Sequence, residues 1–243
     1  MSGLCMAGGG HFVSRSEVAE IIPPSGTNTW CPLKHGDLIN AVLQMVDSRG
    51  WTVTSEDWGL ARNDLRLFGV IRLARSSSPD WQYAIAVKNG NDKAVACSIA
   101  AGLNVYACSN LSLSGDFVIS RRHTSGLSLD NLLSQAVDVI DDSFIAMETT
   151  METLRCQEIR GDDEARACLV KAAESHALNS SDIVEAYREY RNPRHFDFEP
   201  SRYNLLQAVT QVNQKYPVAR YEASLKAVTK LFGLNGNKPE LWK

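Results

Sequence analysis

NGNDKAVACSIAAGLNVYACSN, residues 89–110, decides the fold. Asn89, Gly90, Asn91 and Asp92 are residue types that tolerate turn geometry and positive φ, so a hairpin turn is expected between Lys88 and Ala94. Beyond it, Cys97, Ile99, Leu103 and Val105 fall on one side of an extended chain and Ser98, Ala100, Gly102 and Asn104 on the other. Two-residue alternation of this length predicts a strand. The strand before the turn, WQYAIAVK at 81–88, continues the small-residue character at Ala84 and Ala86. A helix or a ligand is therefore expected across the small-residue face, and the turn itself is a candidate working site.

Working outward, residues 51–75 read as two strands, WTVTSEDWGLAR and LRLFGVIRLAR, joined at Asn63-Asp64 by a tight polar turn. In the second, Leu65, Leu67, Gly69, Ile71 and Leu73 share one face, with Arg66 and Arg72 on the other. Upstream, Leu38, Ile39, Val42, Leu43 and Val46 recur at helical spacing until Gly50 stops the helix. Residues 1–29, rich in Gly, Ser and Pro, form an arm, with VAEII as a short edge strand. Downstream, a last strand, DFVISRR, follows a turn at Ser114-Gly115. Leu133, Val137, Ile140, Phe144, Met147, Met151 and Leu154 then step by four and three, a seam that either covers the sheet or pairs with a copy of itself. Two charged helices separated near Asn179 and a final pair at 201–214 and 218–232 complete the chain. The expected class is α+β: a curved antiparallel sheet of about five strands, a preceding helix, a long helix packed on the sheet and a helical C-terminal region. The division expected is an arm (1–29), an α+β core (30–160) and the helical region packed on that core (161–243).

At 243 residues, with 44% apolar and 22% charged residues, the chain is long and apolar enough for a substantial core. The net charge of −3 advertises no global field for nucleic acid, so such a partner needs a local patch. Six cysteines without a CxxC pair read as buried thiols of a reducing cytosol. Without a secretory pattern or an apolar run of roughly 20 residues, a cytoplasmic protein with no membrane partner is expected.

The segments TWCPLKHGDLINAV, VKNGNDKAVACSIAAGLNVYACSNLSLSG and ISRRHT, with the Gly50-Trp51 helix exit, resemble the phage- and plasmid-associated family called domain of unknown function 932 over residues 15–160. The family's turn reads Asn-Ser-His-Asp. Here it is Asn89-Gly90-Asn91-Asp92, so a role carried by that histidine has no counterpart. Tyr106, Cys108 and Asn110 are similar to the family's aromatic-x-Cys-x-Asn pattern. The element order also resembles the core of single-strand annealing recombinases, whose sheet and helix form a basic groove for single-stranded DNA. That likeness implies a non-enzymatic nucleic-acid-binding protein of a mobile element, acting in strand annealing, recombination or replication, and a homo-oligomer.

The basic residues suit that expectation. Arg62, Arg66, Arg72, Arg75, Lys88, Lys93, Arg121, Arg122 and His123 outnumber the acids of the sheet region, and acids cluster at 138–164. Converging, they neutralise phosphates while Phe68, Trp81 or Tyr106 stack on bases; scattered, they are a solvated outer face. Asn89, Asn91, Asp92, Tyr106 and Asn110 are candidate turn and groove residues, although Asn, Gly and Asp are also what a hairpin requires. Cys31 and His35 lack the second ligand pair of a zinc site, and neither a nucleophile elbow nor a nucleotide-binding loop is present. A Cys108–His123 dyad needs a spatial meeting. No cofactor is expected. The alternative function is a protein-binding accessory factor that occupies a host or defence protein.

Overall fold

The computed structural model describes residues 10–74, 81–105, 111–194, 197–234 and 237–242, without the side chains of 104, 105, 111–118, 218, 219 and 222. Arg75, Tyr106, Cys108 and Asn110 therefore lie outside the described residues. The fold is α+β, built on an antiparallel sheet that is not closed into a barrel. Six strands pair in sequence order: β1 (His11–Val13), β2 (Val53–Ala61), β3 (Arg66–Leu73), β4 (Trp81–Gly90), β5 (Cys97–Val105) and β6 (Leu111–Arg121). β6 passes through Ser114-Gly115, where a turn was expected. Its register instead shifts there, with Ala100 opposite Val118 and Gly102 opposite Leu113.

The arm departs from its expected form. Arg15–Glu20 is a helix, α1, not an edge strand. Its start is a capping box in which the Ser14 hydroxyl accepts the Glu17 N–H and Glu17 accepts the Ser14 N–H at 2.7 Å. The edge strand is the preceding HFV, paired with β2.

α2 (His35–Ser48) buries Leu38, Ile39, Val42, Met45 and Val46. It ends where Gly50 adopts φ +66° and the Trp51 N–H reaches back to the Val46 carbonyl at 3.1 Å. α3 (Leu129–Cys156) starts at a Ser128 cap and buries Ile140, Phe144, Met147, Met151 and Leu154. At its N-terminal end the buried stripe runs through Leu132 and Ala136, with Leu133 and Val137 only partly buried.

The long helix lies on the large-residue face of the sheet, not on the small one. Phe144 stacks on Tyr83 with centroids 4.2 Å apart, and the Trp51 ring meets Phe144 edge-on at 5.7 Å. Ala84, Ala86, Ala100 and Gly102 pair across β4 and β5 and point to the opposite side from Tyr83, Ile85, Ile99 and Leu103. The gap between a sheet and a helix must be filled to interior density, and large side chains do that where alanines cannot.

α4 (Asp162–Glu174), α5 (Ile183–Arg191), α6 (Arg202–Asn213) and α7 (Val218–Phe232) follow. α6 docks on α3, with Tyr203 5.9 Å from Trp81, and α7 packs along β6. Among the described residues no helix is long and apolar enough to cross a membrane.

Candidate nucleic-acid interface at one end of the sheet

Strand register places particular residues together. His11 pairs with Leu60, Ala61 with Arg66, Arg66 with Gly90, and Cys97 with Arg121. The β2–β3 turn, the β4–β5 turn and the exit of β6 therefore share one end of the sheet. Across that end runs residues 30–35, the strap. Trp30 bridges Thr124, the Cys31 N–H donates to the His123 carbonyl at 3.1 Å, and the Leu33 N–H donates to Asn91 Oδ1 at 3.2 Å.

Asn89 and Asn91 act from the sheet side. Both side-chain amides donate to the Leu33 carbonyl at 2.9 Å, and the Asn91 N–H donates to the Leu65 carbonyl at 2.7 Å. Asn89 also donates to His35 Nδ1 at 2.9 Å, while His35 Nε2 donates to the Asp64 carbonyl at 3.0 Å. These two partners fix the imidazole as the neutral Nε2–H tautomer. Burial lowers the His35 pKa. His123 is also buried, neither of its ring nitrogens meets a hydrogen-bond partner among the described residues, and burial lowers its pKa against the opposing pull of the nearby Cys31 backbone. The two asparagines thus clamp the strap, a structural role that leaves the Asn89 Oδ1 without a partner among the described residues.

The turns are tight. Arg62, Asn63 and Asp64 take φ of 57°, 52° and 62°, three successive left-handed residues without a glycine. In the β4–β5 turn positive φ falls on Lys93, at 65°, rather than on Asn89, Gly90, Asn91 or Asp92. Gly90 is needed for another reason: a Cβ there would collide with Val95. Asp92 accepts the Ala94 N–H at 3.1 Å and Arg66 Nε at 2.5 Å. Burial works against its charge, but those two donors outweigh it and hold the carboxyl below its usual range.

The candidate cations separate into two groups. Arg66 is ion-paired to Asp92, and Arg72, at the far end of β3, is buried and ion-paired to Asp57 at 2.7 Å. Arg72 therefore does not converge with the rest. Arg62, Lys93, Arg121 and Arg122 are exposed at the shared end, with Lys88 half-buried beside them. Arg121 also donates to the Ser120 carbonyl at 2.9 Å and to Gln135. Lys34, in the strap, adds a cation that the sequence reading did not single out. Asp37, Asp64 and Asp92 are acids of the same region.

Of the aromatic candidates, Trp81 is fully buried and cannot meet a base, and Phe68 is half-buried. Trp30, which sequence reasoning passed over, carries Lys93 Nζ at 4.9 Å from its ring centroid. Its sequence signal was the polar, proline-bounded TNTWCP stretch, which is too short to show periodicity.

The cysteines differ from expectation as well. Cys97 and Cys168 are buried, but Cys31 and Cys156 are exposed. Burial pushes the Cys97 thiol up to about 12, which removes it as a nucleophile. Among the described residues no group of three or more His, Cys, Asp and Glu is placed to hold a metal ion.

No family model matches the chain, and neither a curated protein nor a solved structure matches it.

Proposed function

We propose that the basic end of the sheet binds nucleic acid through its phosphates, with single-stranded DNA as the ligand and strand annealing, recombination or replication of a mobile element as the setting. One observation carries the reading: Arg62, Lys88, Lys93, Arg121 and Arg122 come from separate strands and turns, and the register collects them at one end, where Arg66 is already paired with Asp92. The chain has a net charge of −3, and the acids of 138–164 other than Glu158 lie on α3 and α4, while Asp37, Asp64 and Asp92 remain near the basic end. Cations gathered on one surface release condensed counterions when they replace them along a phosphate backbone. The mobile-element setting rests on the resemblance in the central hairpin.

The test is fluorescence anisotropy with labelled single-stranded and duplex DNA at two salt concentrations, alongside an Arg121→Ala, Arg122→Ala double variant. Wild-type binding should weaken steeply with salt, and the variant should bind more weakly with its log–log salt slope reduced by about 2, one per lost phosphate contact. Absence of wild-type binding at low salt would overturn the proposal and leave the protein-binding accessory factor as the reading to pursue.

A further inference from the structure

We propose that Trp30 is the base-stacking residue of this end, so that the preferred ligand is a single strand offering an open base face; the inference rests on the phosphate-binding reading above. The indole is held by its backbone. The Trp30 N–H donates to Thr27 Oγ1 at 3.1 Å, the Trp30 carbonyl accepts the Thr27 N–H at 2.8 Å, and the residue bridges Thr124 just past the Arg121-Arg122 exit of β6. Its Nε1–H is buried and meets no hydrogen-bond partner among the described residues, so no polar bond of the side chain shown there must break when a ligand arrives. The ring is half-buried, and one side is met by the ammonium of Lys93 from the facing turn.

A partly exposed aromatic with a cation at its face, on a hydrogen-bonded stretch of backbone, is the arrangement that takes a stacked base together with its phosphate. Lys93 would serve both states. Without ligand its charge rests against the electron-rich indole face; a base stacking there takes that place, and the ammonium turns to the phosphate of the same nucleotide. In a duplex each base face is already covered by its neighbour, so the indole has nothing to stack on. Trp30 thereby separates single strands from duplexes, which the surrounding cations alone cannot do.

The test compares a labelled oligothymidylate with an abasic strand of equal length, using the full chain and the variants Trp30→Ala, Trp30→Phe and Lys93→Ala. Trp30→Ala should weaken oligothymidylate binding about tenfold, the equivalent of about 1.4 kcal/mol and of one lost stack, and leave abasic-strand binding unchanged. Trp30→Phe should recover most of the loss. The wild type should itself favour the thymidylate strand over the abasic one by a similar factor, a comparison that holds even where a variant fails to fold. Equal wild-type affinity for the two strands, or a Trp30→Ala loss shared equally by both, overturns the stacking role while leaving phosphate binding intact. Failure of the wild type to bind either strand at low salt overturns both.

Discussion

At the scale of single residues, His35 has the clearest measurable consequence. Its two ring nitrogens are committed to one acceptor and one donor role, between the Asn89 amide and the Asp64 carbonyl. Protonation would place a second N–H against the Asn89 NH2 group, inside a region from which water is excluded. Burial accordingly lowers the His35 pKa, with His123 opposing the charge and Asp64 favouring it, and burial lowers that of His123 too. For a base whose folded-state pKa is depressed, the unfolded chain binds more protons as pH falls through the ordinary histidine value, so stability rises with pH in that window. The full contribution is present above about pH 6.5 and is lost as the pH falls toward the lowered folded values. The ordinary carboxylate values lie below this range, so the window is that of histidine. The urea midpoint should therefore fall between about pH 7.5 and about pH 5.5. His35→Gln should cost about 1–3 kcal/mol at neutral pH by leaving its buried partners unpaired, and should flatten part of that dependence. A midpoint that stays level or rises on acidification would contradict the assignment of both imidazoles as neutral.

At the scale of elements, the β2–β3 hairpin is set by one cross-strand pair. Trp58 lies opposite Gly69, and a Cβ on residue 69 would overlap the six-membered part of the Trp58 ring. The ring is buried and packed, so it has nowhere to swing. Gly69→Ala should destabilise the protein by about 1–3 kcal/mol in urea titration. In a double-mutant cycle Trp58→Leu should relieve part of that cost, and strict additivity would mean that the two positions do not oppose each other. Gly69 also shows why elements were readable and their faces were not. Alternation along β3 to β5 and the helical period of α2 and α3 are local, so the strands, the helices and the antiparallel order followed from the sequence. Which face receives the helix is decided by volume, and the run of alanines that suggested close approach turned away from α3. α1 carried its signal in Ser14 and Glu17, but the apolar VAEII suggested a strand. The candidate cations were legible as a group, but not their partners: Arg72 and Asp57, or Arg66 and Asp92, meet only through strand register. Likewise, nothing local indicates that Asn89 and Asn91 clamp a strap more than fifty positions earlier.

At the scale of the whole molecule, α6 decides how the parts are joined. Ten of its twelve residues are buried, including Asn204 and Asn213, whose hydrogen bonds lead outward to neighbouring elements. The Asn204 amide donates to the Tyr190 and Glu199 carbonyls, and the Asn213 amide donates to the Ala177 carbonyl and to Ser224. Tyr203 faces Trp81 of the sheet, with the Arg155 guanidinium of α3 within 5.2 Å of the Trp81 ring centroid and 4.7 Å of that of Tyr203. Beyond α6, Tyr216 and Lys215 both donate to Asp182, at 2.7 and 2.8 Å, closing the loop before α5 onto the connection between α6 and α7. Burial and the bond to Asp182 push the Tyr216 phenol up to about 12. One buried core thus runs from α2 through the sheet and α3 into α6 and α7. A helix enclosed in this way cannot be removed without exposing apolar surface on both sides, so the sheet and the helical region should unfold as one unit. Tryptophan fluorescence, which includes Trp51, Trp58 and Trp81 around the sheet, and far-ultraviolet circular dichroism, dominated by the helices, should give superimposable urea transitions. A fragment of residues 1–160 should fail to fold, because Trp81 loses Tyr203 and the β6 edge loses α7. Two separated transitions, or a folded and monomeric fragment, would show instead that the sheet and α3 form an autonomous domain and that α6 is a detachable cover.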